Sequence, residues 1–256
     1  MRNDISILNC SLNNVSNKEL LSNFDSGVLM PTNVDMIVKL QKDKEFYDCY
    51  QNAEIRVNDS KIINLAAKFL GTPLKDTVSG SDFFPLFYNY HKKNRNVTIF
   101  LLGAEEGVAE IATIKINKKV GREMVVGCYS PPFGFEKNEK ECFRIIEKIN
   151  ASKATVLAVG LGAPKQEKWV TKYRNQLEGI KQILCIGATI DFEAGKVNRA
   201  PKWIRVVGFE WLYRLFKEPK RLWRRYLIDD IPFLFLLLQQ KFGFYKNPFS
   251  GTASDN

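Results

Sequence analysis

Residues 154–169 read ATVLAVGLGAPKQEKW. The run at 155–159 is short, apolar and partly β-branched, which predicts a buried strand. Gly160 and Gly162 permit a tight turn and close backbone approach. Pro164 suits a helix start, where its missing N–H costs nothing. The stretch therefore reads strand, turn, helix, with Lys165, Gln166 and Glu167 on the first helical turn. Such a helix start presents free N–H groups and the positive end of its dipole, which suits an anion. An ordinary β–α turn has the same local pattern. A dinucleotide fingerprint fits poorly: G-x-G is present, but Lys165 stands where a third glycine belongs.

The same alternation recurs on both sides. Strands are expected at 5–12, 54–57, 97–102, 124–128 and 182–186, and helices at 34–53, 61–70, 83–92, 107–118, 136–150 and 164–177. Strands separated by helices predict an α/β domain with a mostly parallel sheet and helices on both faces. Right-handed crossovers then bring the carboxyl ends of the strands to one edge, where open α/β sheets bind ligands. The segments expected on that edge are VNDSK (57–61), LLGAEEG (101–107), GCYSPPFG (127–134), GLGAPKQE (160–167) and IGATIDFEAG (186–195). Together they supply Asp59, Gly103, Ser130, Gly162 and Asp191, a set suited to a polar ligand with phosphates and hydroxyls.

Composition narrows the chemistry. The chain has 256 residues, 45% hydrophobic, with a net charge of +10, enough for one large α/β core with an appendage. The five cysteines are scattered without C-x-x-C spacing, which predicts reduced, mostly buried thiols and no structural zinc. The single histidine, His91, falls where a helix should end. Histidine triads and histidine metal clusters are therefore disfavoured, and carboxylates must do any acid–base work. No secretory leader is read at the N-terminus, and the apolar run 231–238 is too short to span a bilayer.

After residue 195 the composition shifts. Residues 196–226 carry ten Lys or Arg and two Glu, a net +8, together with three of the four tryptophans. Apolar residues recur at helical spacing through Trp211, Leu212, Leu215 and Phe216. A basic, aromatic-rich amphipathic segment favours an anionic membrane surface. A basic face packed on the body and a nucleic-acid patch are the alternatives the residues leave open. The expected division is a core at 1–195, a basic helical appendage at 196–246 and a frayed polar tail at 247–256.

Three stretches carry a resemblance: PTNVDMI (31–37), GLGAPKQEKW (160–169) and IGATIDFEAGKVNRAPKWIRVVGFEWLYRLFKEPKRLWRRYL (186–227). GSDFF (80–84) and GCYSPPFG agree with them. The chain resembles the WecG/TagA/CpsF family of bacterial glycosyltransferases over about residues 5–242. The resemblance implies a Rossmann-like core with a membrane-docking C-terminal appendage. It implies inverting, metal-independent transfer of a hexose or N-acetylhexosamine from a UDP donor to a polyprenyl-diphosphate-linked sugar, in synthesis of teichoic acid or another surface polysaccharide. It places the protein at the inner face of the bacterial cell membrane, with no nucleic-acid partner, no cofactor and possible contact with other glycosyltransferases.

The resemblance also assigns residues. Thr32 and Asn33 match a Thr–Asn pair, with Thr32 expected among the catalytic groups. Asp59 holds the place of the catalytic base, although a helix N-cap is the plain reading of its spacing. Gln166 matches a glutamine near the donor diphosphate, flanked by Lys165 and Glu167. Asp191 is expected near the ribose, and Ser130, Pro131 and Phe133 around uracil. Ser81 and Asp82 belong to the matched GSDFF block. Two places depart from the family: Asn58-Asp59-Ser60 stands for Pro-Asp-Gly, and Thr77 stands for an arginine thought to engage phosphate. Either Lys61 or Arg199 replaces that charge, or the donor or acceptor differs from that of better-known members, or activity is reduced or lost. A non-catalytic accessory subunit of another transferase is the alternative role.

Overall fold

The computed structural model describes residues 4–250, apart from the side chains of residues 202, 206, 207 and 221. The stretch quoted first forms β7 (Val156–Gly160), an inner strand, and α8 (Lys165–Tyr173). Around it a six-stranded sheet is built from β3 (Gly27–Thr32), β4 (Ile55–Asn58), β5 (Ile99–Gly103), β6 (Val125–Tyr129), β7 and β8 (Gln182–Cys185), in the order β4-β3-β8-β7-β5-β6. Every pairing in it is parallel, so all six carboxyl ends lie on one edge.

The core follows from strand alternation. Val28, Met30, Phe100, Leu102, Leu157, Val159, Ile183 and Cys185 point to one face. There they meet α2 (Val34–Lys39), α3 (Lys44–Gln51), α4 (Lys61–Leu70), α7 (Glu139–Ser152), α8 and α13 (Ile231–Lys241). Leu29, Val57, Ile99, Leu101, Val156, Ala158 and Leu184 point to the other face. They meet α1 (Asn17–Asn23), α5 (Gly80–Tyr90), α6 (Val108–Val120) and α9 (Thr189–Ala194). Burial on both faces is why these strands read as continuous apolar runs. Replacing a fully buried leucine such as Leu157 by alanine would cost about 2–5 kcal/mol.

Glycine is required where the strand ends crowd together. Gly103 pairs with Gly160, and a Cβ on Gly103 would stand 2.4 Å from the Gly160 carbonyl oxygen. Gly103 also has φ +127, outside the range of ordinary L residues. The close spacing of β5 and β7 at the ligand edge therefore depends on having no side chain at residue 103.

Three expectations need correction. Residues 5–12 are not one strand of the sheet but a separate hairpin, β1 (Asp4–Ile7) and β2 (Cys10–Asn13). The turn gives no glycine signal, because Leu8 itself takes φ 55 and its N–H donates to Gln240 Oε1 at 2.7 Å. Strand β3 escapes sequence reading because Pro31 argues against a central strand. The ladder to β8 covers only Gly27–Leu29, so Pro31 lies beyond it. The helix expected at 34–53 is two helices, broken where Asp43 caps α3 by accepting from the Phe46 N–H.

The C-terminal segment runs through α10 (Lys202–Val207), α11 (Glu210–Lys217), α12 (Pro219–Arg224), a π-helical turn at Arg225–Asp229, and α13. Chain beyond it is anchored at Asn247, which donates to the Tyr47 hydroxyl at 3.2 Å, and at Phe249, whose ring lies 5.2 Å from that of Tyr47; residues 251–256 of the expected frayed tail lie outside the described residues. All five cysteines are unpaired; four are buried and Cys128 is half-buried. His91 ends α5, but its ring packs 4.6 Å from Phe87 rather than standing free.

Candidate active site

The turn after β4 is built by Asn58. Its Oδ1 accepts from the Ser60 N–H at 2.8 Å, and its Nδ2 donates to Asn64 Oδ1 at 2.9 Å. Ser60, not Asp59, caps α4: its side chain accepts from the Ile62 N–H. That one-residue displacement leaves the Asp59 carboxylate out of the α4 cap. Its own N–H donates to the Thr32 carbonyl at 2.8 Å.

Asp59 faces a cavity of about 470 Å³. The body supplies Asn33, Asp59, Lys61, Thr77, Ser81 and Asp82 to its wall, and the C-terminal segment supplies Arg205, Glu210, Trp211, Arg214, Arg225 and Tyr226. Burial raises the Asp59 carboxyl first, and the nearby Glu210 and Asp82 raise it further. Arg214 and the Gly80 N–H oppose them, and the result is about 7. A carboxylate poised there can take a proton near neutral pH.

The C-terminal segment is fastened to the cavity rim. Arg199 and Arg205 each contact Asp82 Oδ1 at 2.8 Å. Burial pushes Asp82 up, but the Arg199 hydrogen bond and the charges of both arginines outweigh it and hold it below the usual range. Arg199 also donates to the Ser81 carbonyl at 3.0 Å. Pro85, inside α5, has no N–H to give the carbonyl four residues back, so Ser81 is open to Arg199. Across the cavity, Arg225 lies 3.3 Å from Asn33 Oδ1 and 3.5 Å from Asp35.

A second cavity, of about 930 Å³, takes Ser130, Pro131, Phe133, Lys165, Asp191 and Lys196. Phe133 is fully exposed at its rim, with Lys165 Nζ 5.2 Å from the ring. Ser130 Oγ is committed to the Gly103 and Glu105 carbonyls at 3.1 and 3.0 Å. Lys165 is the first residue of α8, so the start of that helix faces this cavity. Phe192 and Arg214 line both cavities, which therefore adjoin.

The expected residues thus fall into two groups that meet at Phe192. Asn33, Asp59, Ser81 and Asp82 stand in the first cavity; Ser130, Pro131, Phe133, Lys165 and Asp191 stand in the second. Six expected residues are placed elsewhere. The Thr32 hydroxyl is buried and pairs with the Tyr50 hydroxyl at 2.9 Å, lining neither cavity. Gln166 and Glu167 are buried below the helix start, joined by a 2.7 Å hydrogen bond. Burial pushes Glu167 up to about 7 despite that bond. Arg199 reaches Asp82 rather than a cavity wall. Gly103 and Gly162 shape the backbone and line neither cavity.

Sequence reading missed Arg205, Arg214 and Arg225, since from the basic segment it singled out Arg199 alone for the site. The signal lay in Glu210, one of the two acids among ten cations, which faces Asp59. Lys61, Arg205 and Arg214 line the same cavity as Thr77, and Arg199 does not. Among the described residues, no cluster of three or more His, Cys, Asp or Glu is arranged to hold a metal, and no helix is long and apolar enough to cross a membrane.

The model of the glycosyl transferase WecG/TagA/CpsF family matches residues 5–247. The N-acetylglucosaminyldiphosphoundecaprenol N-acetyl-beta-D-mannosaminyltransferase of Bacillus subtilis (strain 168) is 26% identical over 201 residues, covering 78% of this chain and 75% of that protein. The enzyme of the same name from Bacillus spizizenii is 27% identical over 199 residues, covering 78% and 74%.

Proposed function

Since the chain belongs to the glycosyl transferase WecG/TagA/CpsF family and is a glycosyltransferase, we propose that its two cavities hold donor and acceptor of one inverting sugar transfer. The donor is a UDP-sugar in the second cavity. Phe133 and Pro131 offer apolar contact to the base, and Lys165 with the start of α8 offers positive charge to the diphosphate. The acceptor is an N-acetylglucosaminyl diphosphate on a polyprenol, in the first cavity, as the relatives' names suggest.

Ionised Asp59 accepts the proton of the acceptor hydroxyl. The freed oxygen pair attacks the anomeric carbon while its bond to the UDP oxygen breaks, and attack opposite the leaving group inverts the centre. The electron pair departs with the diphosphate. Arg214, shared by both cavities, and Lys165 supply the stabilising charge in place of a metal ion. The observation that carries this reading is the carboxylate raised to about 7 on a cavity wall that adjoins a second cavity.

The same reading docks the protein on the inner face of the membrane. Trp203, Phe216 and Trp223 are exposed on the C-terminal segment, and each cation near an anionic surface contributes about 1 kcal/mol. Arg205, Arg214 and Arg225 face the first cavity, Lys196 lines the second and Arg199 is paired with Asp82, so among the described side chains the docking charge is carried by the exposed Lys217, Lys220 and Arg224. The test is transfer of label from a panel of UDP-sugars to a polyprenyl-diphosphate N-acetylglucosamine, with the anomer of the product determined. Transfer with retention, or from no UDP-sugar, would refute the reading.

A further inference from the structure

Over residues 231–238 helix α13 carries only apolar side chains, and Gln239, Gln240 and Lys241 end it. Phe233 and Leu237 are buried against the body, while Ile231, Leu234, Phe235 and Leu238 stand 55%, 58%, 65% and 46% exposed. Those four are spaced i, i+3, i+4, i+7 and share one face. A helix without a polar face is at home only in a core or in lipid. Helix α4 repeats the arrangement. Its Ile63, Ala66 and Ala67 are buried, and Leu65 and Phe69 are 64% and 44% exposed.

The two helices lie side by side. At the far end Lys241 Nζ donates to the Phe69 carbonyl at 2.8 Å and stands 5.3 Å from the Phe69 ring. At the near end Ile62, Ile231 and Leu234 line the Asp59 cavity. An apolar strip therefore starts inside that cavity and continues along α13 from Ile231 to Leu238, about 12 Å at helical rise. Cations mark its start, with Lys61 and Arg225 on the cavity wall. The order is carboxylate, cations, apolar strip, which matches hydroxyl, diphosphate and hydrocarbon in a lipid-linked sugar.

We infer that the strip between α4 and α13 binds the isoprenoid chain of the acceptor. The inference rests on the acceptor assigned under the proposed function. Continuity with the cavity selects this occupant. A surface that merely rests on a bilayer has no need to run into the Asp59 cavity, and a second copy of the chain would not meet the cation pair.

The test uses N-acetylglucosaminyl diphosphates bearing geranyl, farnesyl, geranylgeranyl or undecaprenyl tails with the full chain. Leu65→Gln and Leu238→Gln change exposed side chains outside the cavity, so folding is preserved. The wild type should show a KM that falls as the tail lengthens. Each variant should raise KM about tenfold for the longer tails, the value of one lost leucine contact, with kcat and the geranyl KM unchanged. A benzophenone-bearing geranylgeranyl diphosphate should crosslink to α4 and α13, in Asp59→Asn as in wild type.

Wild-type tail-length dependence in the variants overturns the inference. So do crosslinks confined to 203–223, or variants that alter only vesicle sedimentation or oligomeric state. If crosslinks fall on the strip while no tail supports transfer, the reaction assigned above fails and the strip stands. Efficient transfer with one KM for all tails has the opposite meaning.

Discussion

The Asp59 N–H donates to the Thr32 carbonyl at 2.8 Å, extending the ladder between β3 and β4 one step past its last pair, Thr32 with Asn58. The carboxylate is thus held by backbone at the open edge of the sheet, not by a mobile loop. Thr32 contributes through its carbonyl, and its buried hydroxyl locks to Tyr50. Removing that lock should loosen the base without touching substrate. Thr32→Val should therefore lower kcat more than it raises KM, read from initial rates. An unchanged kcat with a raised KM would instead make Thr32 a binding group.

The raised Asp59 carboxyl has a stability consequence. Its folded value of about 7 lies above the ordinary 3.8, so the folded protein retains a proton that the unfolded chain loses. The stability this confers is complete below about pH 4 and is lost as pH rises through 7. Asp59→Asn removes the penalty of burying the ionised form. Each pKa unit corresponds to about 1.4 kcal/mol; because water reaches the carboxylate through the cavity, a gain of roughly 1–2 kcal/mol is expected. Thermal unfolding should show the variant more stable than wild type at pH 8, with the difference vanishing at pH 4.

Asp82 gathers Arg199 and Arg205 at 2.8 Å each and so fastens the start of the C-terminal segment. Both pairs are partly exposed, so each is worth about 0.5–1 kcal/mol. Asp82→Ala should leave the sheet intact and speed amide hydrogen exchange over 199–217 by about threefold to tenfold. Exchange unchanged there would mean that other contacts hold the segment.

Phe133 makes no structural contribution, being fully exposed. Phe133→Ala should leave the melting temperature unchanged and weaken uridine diphosphate binding about tenfold, the scale of one base stacking on an aromatic ring. Calorimetric titration reads this directly.

Gly103→Ala should act through geometry. The added methyl meets the Gly160 carbonyl oxygen at 2.4 Å and must adopt φ +127. A loss of about 2–4 kcal/mol is expected, seen as a lower denaturant midpoint, with donor binding impaired in the fraction that folds.

Most of the sheet was legible because strands buried on both faces read as apolar runs, as at 155–159 and 182–186. Strand β3 was hidden by Pro31, and the β1–β2 hairpin by Leu8, a leucine in a left-handed turn. Asp59 could be singled out only through family resemblance, since local spacing favours a cap; Ser60 proved to be the cap. The inward arginines were illegible because charge content says nothing of direction. Asp82 fixes that direction for Arg199 and Arg205 through contacts more than a hundred residues apart in sequence.

The central claim is that Asp59 takes the acceptor proton. Its most direct test is the pH dependence of kcat/KM for sugar transfer, in wild type and Asp59→Asn. Activity of the wild type should fall on the acid side with a midpoint near pH 7. The variant should lose about two to four orders of magnitude, lack that limb, and still bind uridine diphosphate. A variant as active as wild type, or one that keeps the same limb, would contradict the assignment.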